Sequence, residues 1–76
     1  MNSILVKLGQ TIKAKRLHIG LSQEELADRC GFDRTYISML ERGKRNPSLV
    51  NLIRLAKGLS TTVATLVRSI DGAETD

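Results

Sequence analysis

The sequence is poor in the residues from which disulfide frameworks, metal sites and enzyme active sites are built. It contains one cysteine, Cys30, and one histidine, His18. A single cysteine excludes an internal disulfide, and a lone histidine without partners at ligand spacing argues against a metal centre. A chain of 76 residues without a glycine-rich phosphate loop also has little volume for a catalytic pocket. We therefore expect a protein that is not an enzyme and needs no cofactor.

Aromatic residues and long apolar runs are scarce as well. Phe32 and Tyr36 are the only aromatic residues, although 41% of the chain is hydrophobic, so the expected core consists of Leu, Ile and Val. No N-terminal stretch has the length of a signal peptide or a membrane span, which predicts a soluble, cytoplasmic protein without a membrane partner. We expect one domain over residues 1–76, with a core at about 4–70 and an acidic tail at 71–76.

Helix signals recur five times, and no strand-like alternation is present. Ser22, Asp33 and Ser48 are expected N-caps of the second, third and fourth helices, and a fifth helix is expected after Thr62. The first four helices are expected to end near Ile19, Arg29, Arg42 and Gly58. Spacings of three and four predict an inward stripe of Leu5, Leu8, Ile12, Arg16 and Ile19 in the first helix, and of Leu49, Leu52, Ile53, Ala56 and Leu59 in the fourth. The pattern predicts an all-α, compact five-helix bundle.

Two charged residues fall on inward faces. Arg16 interrupts the apolar stripe of the first helix, and Glu41 shares the inner face of the third helix with Ile37 and Leu40. A buried charge requires a partner of opposite sign. We therefore expect Arg16 and Glu41 to form a structural ion pair.

The segment from Gln23 to Arg42 has the pattern of two short helices that meet at a sharp turn. Gly31 lies at the bend, where a left-handed conformation is needed, and the small Ala27 lies where the helix axes cross. The chain has a net charge of +4, and its positive charge concentrates in residues 34–57. A charge run alone is typical of a solvated surface, but its coincidence with this motif favours a polyanionic partner.

In such a unit the later of the two helices presents its early residues to the floor of the DNA major groove. In this chain that helix is the third, about 34–42, which is therefore the expected recognition helix. Its side chains not used for packing are predicted to contact bases: Arg34, Thr35, Ser38 and Met39. Phosphate contacts are predicted for residues of the second helix, the third helix and the basic loop that follows: Gln23, Tyr36, Arg42, Lys44, Arg45 and Asn46.

The stretch from Leu8 to Val67 resembles the helix-turn-helix family of Cro and the phage repressors, also called the Xre family. The similarity is carried by the strings GLSQEELADRCG and ERGKRNPSL. It implies a lambda-repressor-like DNA-binding domain, usually dimeric on a pseudo-palindromic operator, with a buried Arg–Glu pair that matches Arg16 and Glu41. Within the family, DRTYISMLERGKRN is most similar to controller proteins of restriction–modification systems, which lack an effector domain. No small-molecule effector is therefore expected.

The leading hypothesis is a sequence-specific regulator of transcription that binds a double-stranded DNA operator as a homodimer. An antitoxin that binds both its operator and a toxin protein is the alternative. The apolar residues that the helix stripes leave available predict a two-fold interface formed by Leu55, Val63, Leu66, Val67 and Ile70. The other interpretation of these side chains is that they complete the core of the monomer.

Overall fold

The computed structural model describes residues 3–72, which form five α-helices and one 3₁₀ turn without a strand. The helices are α1 (Ser3–His18), α2 (Gln23–Cys30), α3 (Arg34–Glu41), α4 (Leu49–Gly58) and α5 (Val63–Val67), and the 3₁₀ turn is Arg68–Ile70. The prediction of an all-α five-helix bundle is confirmed. Most of the predicted acidic tail, residues 73–76, lies outside the described residues, so its character stays a prediction.

The predicted caps determine where the helices start. The hydroxyl of Ser22 accepts a hydrogen bond from the Glu25 backbone N–H at 3.0 Å, and the Ser22 N–H donates to the Glu25 carboxylate at 2.9 Å. These two bonds are a capping box, which satisfies backbone groups that the helix leaves without partners. Single side-chain caps open α3, α4 and α5 from Asp33, Ser48 and Thr62. Local chemistry therefore defines the start of each helix after α1.

The core lies between all five helices. Ile12, Leu26, Ile37, Leu55 and Leu66 are all completely buried. The other buried apolar residues are Leu8, Leu21, Ala27, Cys30, Leu40, Ala56 and Leu59. No helix within residues 3–72 is long and apolar enough to cross a membrane.

Three positions of the predicted stripes are wrong. Ile19 is 37% exposed because it lies beyond the end of α1. Leu49 and Ile53 are 67% and 41% exposed, whereas Leu55 is fully buried. The stripe of α4 is therefore Leu52, Leu55, Ala56 and Leu59, the same three-and-four spacing rotated around the helix.

Helix α1 packs closely on α3. A Cβ atom at Gly9 would lie 2.6 Å from the carbonyl oxygen of Glu41, and it would also collide with the carbonyl oxygen of Leu40. Since those acceptors belong to the backbone, they cannot move aside as a side chain would. The absence of a side chain at position 9 therefore sets the distance between α1 and the recognition helix.

Candidate nucleic-acid interface

The turn between α2 and α3 has the geometry of a helix-turn-helix. Gly31 adopts φ 74°, the left-handed conformation expected at the bend, and the Phe32 N–H donates to the Ala27 carbonyl at 2.9 Å. Such a terminus satisfies the last carbonyls of α2 and turns the chain within two residues. Ala27 is 2% exposed, which agrees with its expected position where the axes of α2 and α3 cross.

The recognition helix α3 divides into an inner and an outer face. Ile37, Leu40 and Glu41 are buried, while Arg34 and Thr35 are exposed at the first turn. Within residues 3–72, the guanidinium of Arg34 makes no hydrogen bond or ion pair. Ser38 and Met39 are half-buried. The four residues predicted to contact bases thus lie outside the buried face, and the two at the N-terminal end are the most accessible.

Basic side chains continue from the end of α3 into the loop. The exposed residues here are Arg42, Lys44, Arg45 and Asn46. The Arg42 guanidinium donates to the Ser38 carbonyl at 3.3 Å, which keeps it along the helix. The Arg45 guanidinium lies 5.4 Å from the centre of the Tyr36 ring, within the range of a cation–π contact. Positive charge therefore lies beside the exposed face of α3.

Two further residues predicted to contact phosphate, Gln23 and Tyr36, also have partners inside the molecule. The Gln23 amide donates to Glu41 Oε1 at 3.1 Å, which leaves one amide hydrogen for another acceptor. The Tyr36 hydroxyl accepts a hydrogen bond from Asn51 Nδ2 at 3.0 Å and retains its own hydrogen for donation. Both side chains are half-buried. Their phosphate contacts stay predictions, and each would use a single remaining donor.

The ion pair between α1 and α3 lies behind the recognition helix. Arg16 Nε donates to Glu41 Oε2 at 2.6 Å and Arg16 Nη2 donates to Glu41 Oε1 at 3.0 Å, while Nη1 donates to the Leu21 carbonyl at 2.8 Å. The two side chains are 8% and 3% exposed. The hydrogen bond with Glu41 raises the pKa of Arg16, against the opposing effect of burial. This bidentate geometry links the two helices at a fixed orientation.

Arg54 on α4 was not anticipated from the sequence, and it contacts the turn directly. Its Nε donates to the Cys30 carbonyl at 3.0 Å and its Nη2 donates to the Gly31 carbonyl at 2.9 Å. Its guanidinium also lies 4.2 Å from the centre of the Phe32 ring. Arg54 follows Asn51 by three residues and therefore lies on the same side of α4, but this spacing alone did not indicate a contact with the turn.

Cys30 lies in the core beneath this turn. Burial raises the pKa of its thiol, with the nearby Arg54 and Arg29 opposing that change. A thiol of raised pKa carries little thiolate at neutral pH and is a poor nucleophile. Among the described residues, no three His, Cys, Asp or Glu side chains are grouped as a metal site would require.

The predicted dimer interface is wrong at two of its five positions. Leu55 and Leu66 are fully buried in the monomer, so they complete its core and cannot contact a second copy. Val63, Val67 and Ile70 are half-buried. The most exposed large apolar side chains of α4 are Leu49, Val50 and Ile53, at 67%, 65% and 41%. We call these three residues the α4 apolar face.

Comparison with known proteins agrees with this geometry. The sequence profile of the Helix-turn-helix family matches residues 12–66. The chain is 43% identical over 72 residues to control protein C.MunI of Mycoplasma sp, an alignment that covers 93% of this chain and 97% of that protein. It is 46% identical over 59 residues to control protein C.BamHI of Bacillus amyloliquefaciens, covering 76% and 73% of the two chains.

A solved structure gives the same result. The restriction–modification controller protein C.AhdI from Aeromonas hydrophila superposes with a TM-score of 0.82 at 47% identity, over 84% of this chain and 97% of that one. These relatives are named as control proteins, and none of the three supports the antitoxin alternative. The chain belongs to the helix-turn-helix family of DNA-binding transcriptional regulators, and its resemblance to restriction–modification controllers is confirmed.

Proposed function

We propose that the chain is a controller-type regulator that binds a pseudo-palindromic operator as a homodimer, with α3 in the major groove. The observation that carries this proposal is the exposed first turn of α3. Arg34 and Thr35 are exposed on it without side-chain partners in residues 3–72, and Thr35 lines the same cleft as Arg45 of the basic loop. A helix presented in this way can bring its N-terminal side chains to base edges while the loop contacts the backbone.

The chemistry of each exposed group suggests its role. The Arg34 guanidinium can donate two parallel hydrogen bonds to O6 and N7 of a guanine, and the Thr35 methyl group can contact a thymine methyl. Ser38 and Met39, being half-buried, would contact a base only where the groove floor approaches closely. The cations of the basic loop would neutralise phosphates and supply affinity for any sequence. Arg34 is thus the side chain on which base choice depends most.

A dimer is required because a single recognition helix reads too few base pairs to select one operator in a genome. Two helices about 34 Å apart would read successive major grooves on one side of the duplex. We place the two-fold interface on the α4 apolar face, with Val63, Val67 and Ile70 at its edge. Exposed apolar side chains grouped on one helix are typical of a surface that another protein covers.

The controller role rests on the relatives that carry the name of control proteins and align with most of this chain. Such a regulator would act in the cytoplasm, with no enzymatic step and no effector ligand.

Selection of bound sites from a random duplex pool tests this function. The proposal predicts a recovered motif of two related half-sites, arranged as an inverted repeat with centres about one helical turn apart. Recovery of a single half-site would contradict the dimer. Recovery of no motif, with binding that depends only on salt, would contradict sequence-specific recognition altogether.

A further inference from the structure

Helix α4 contacts both halves of the helix-turn-helix through polar side chains. Arg54 donates to the carbonyls of Cys30 and Gly31, where the chain leaves α2 and turns toward α3. One helical turn earlier, Asn51 donates to the Tyr36 hydroxyl on α3 at 3.0 Å. These contacts lie on the side of α4 that neither the core nor the α4 apolar face uses.

Aromatic rings complete the connection between these two contacts. The Arg54 guanidinium lies over the Phe32 ring at 4.2 Å, and the Phe32 ring meets the Tyr36 ring edge to face, with centres 4.9 Å apart at 68°. Aromatic pairs and guanidinium stacks have preferred geometries, so each contact constrains the orientation of the next. A continuous chain of contacts therefore runs from Arg54 through Phe32 and Tyr36 to Asn51.

This chain borders the residues proposed to read DNA. Thr35 and Met39 line the same surface cleft as the four connected side chains, Phe32, Tyr36, Asn51 and Arg54. The ion pair of Arg16 with Glu41 holds the C-terminal end of α3, but it lies away from the first turn. The contacts from α4 reach that first turn through the Tyr36 hydroxyl.

We infer that Arg54 is a positioning residue for DNA recognition, which fixes the angle at which α3 enters the groove without contacting a base. The inference rests on the proposed function, since it requires α3 to read sequence. A bidentate base contact tolerates little displacement, because both hydrogen bonds must stay within reach and aligned. A small rotation of α3 would therefore weaken the cognate site far more than random DNA.

The alternative is that Arg54 contributes only a positive charge or only stability. The ratio of the affinity for cognate DNA to the affinity for random DNA separates these roles. A charge that attracts phosphates supports binding to every sequence, so its loss lowers cognate and random affinities alike. A loss of stability lowers the active fraction, which also scales both affinities by one factor. Only a change in the placement of α3 alters the ratio of cognate to random affinity.

The experiment uses the full chain and two duplexes, the site recovered by selection and the same duplex with scrambled half-sites. Arg54→Gln is compared with Lys57→Gln, which removes an exposed cation from the same helix but none of these contacts. Arg54→Lys restores the charge without the planar fork or stack. We expect the ratio of affinities to fall about fivefold or more for Arg54→Gln, the lower end of one base contact's discrimination.

We expect Lys57→Gln to keep the parent ratio and Arg54→Lys to recover it only in part. If the parent protein distinguishes the two duplexes, either of two results would overturn the inference. One is an unchanged ratio of cognate to scrambled affinity for Arg54→Gln, and the other is a ratio fully restored by Arg54→Lys. If the parent itself does not distinguish the two duplexes, the proposed function fails instead. The two failures are therefore distinguishable in one set of titrations.

Discussion

Gly9 on α1 and Glu41 on α3 approach so closely that a Cβ atom at position 9 would lie 2.6 Å from the Glu41 carbonyl oxygen. The contact fixes the back of the recognition helix against α1. It also gives a structural reason for a glycine inside a helix, where that residue is otherwise unfavourable by about 1 kcal/mol relative to alanine.

Gly9→Ala should therefore destabilise the protein despite the better helix propensity of alanine. Overpacking against backbone atoms typically costs about 1–3 kcal/mol. Chemical denaturation monitored by circular dichroism measures the change. Gln10→Ala, at an exposed position of the same helix, should change the free energy of unfolding by less than about 0.5 kcal/mol. Equal stability of Gly9→Ala and the parent would show that α1 and α3 can separate freely.

The sequence was sufficient for features that depend on neighbouring residues. The caps at Ser22 and Asp33 and the bend at Gly31 each follow from hydrogen bonds or dihedral angles within a few positions. The side of α4 that packs on the core could not be predicted in this way. Leu52 and Leu59 fit two helical stripes, one through Ile53 and one through Leu55, and only the packing against α2 and α5 selects the second.

Contacts between distant segments were less accessible from local patterns, with one exception. The pairing of Arg16 with Glu41 was accessible because both charges interrupt apolar stripes. Arg54 lies on a polar side of α4, where a basic residue is ordinary, so nothing in its neighbourhood indicated a contact with the turn. Gly9 carried one weak signal, which was its position in the interior of a helix.

Arg16→Ala should lower stability without changing base choice. It leaves the Glu41 carboxylate nearly buried without its charged partner, and removal of one member of such a pair typically costs about 3–5 kcal/mol. Lys13→Ala removes an exposed charge from the same helix and serves as the control. Thermal unfolding should show a large decrease in Tm for Arg16→Ala alone. Matching melting curves for the two variants would exclude a stabilising role for the ion pair.

The capping box of α2 should make stability depend on pH in the acid range. The hydrogen bond from the Ser22 backbone, followed by that with the Ser22 hydroxyl, lowers the pKa of Glu25 below its usual value of 4.5. A lowered folded-state pKa stabilises the protein above the unfolded-state value, and this contribution is lost as pH falls through the folded-state value. Glu25→Gln cannot titrate, so its free energy of unfolding should decrease less than the parent's below pH 4.5.

Glu24→Gln is the matched control for this titration. It removes a carboxylate from the same turn of α2, at an exposed position. It leaves both hydrogen bonds of the capping box in place, so the pH-dependent contribution of Glu25 should remain. If the stability of Glu25→Gln depends on pH as that of the parent does, protonation of the Glu25 carboxylate does not contribute to the loss of stability in acid.

Val50→Asp should yield a folded monomer. Val50 is 65% exposed and contributes little to the core, but a charge there would repel its copy across a two-fold axis. Sedimentation velocity should show a monomer, with operator binding weakened about 100-fold because the two half-sites are no longer linked. Leu17→Asp, at a residue 58% exposed on α1, should stay dimeric. A dimeric Val50→Asp variant would place the interface elsewhere.

Helix α3 is proposed to read sequence while the basic loop binds phosphate. Titrations of Arg34→Ala and Lys44→Ala on cognate and scrambled duplexes separate these two roles. Arg34→Ala should lose about 1–3 kcal/mol on the cognate duplex and little on the scrambled one. Lys44→Ala should weaken both and reduce the salt slope by about one unit. An equal loss on both duplexes for Arg34→Ala would contradict base recognition by α3, because the first turn of the helix would then contribute only charge.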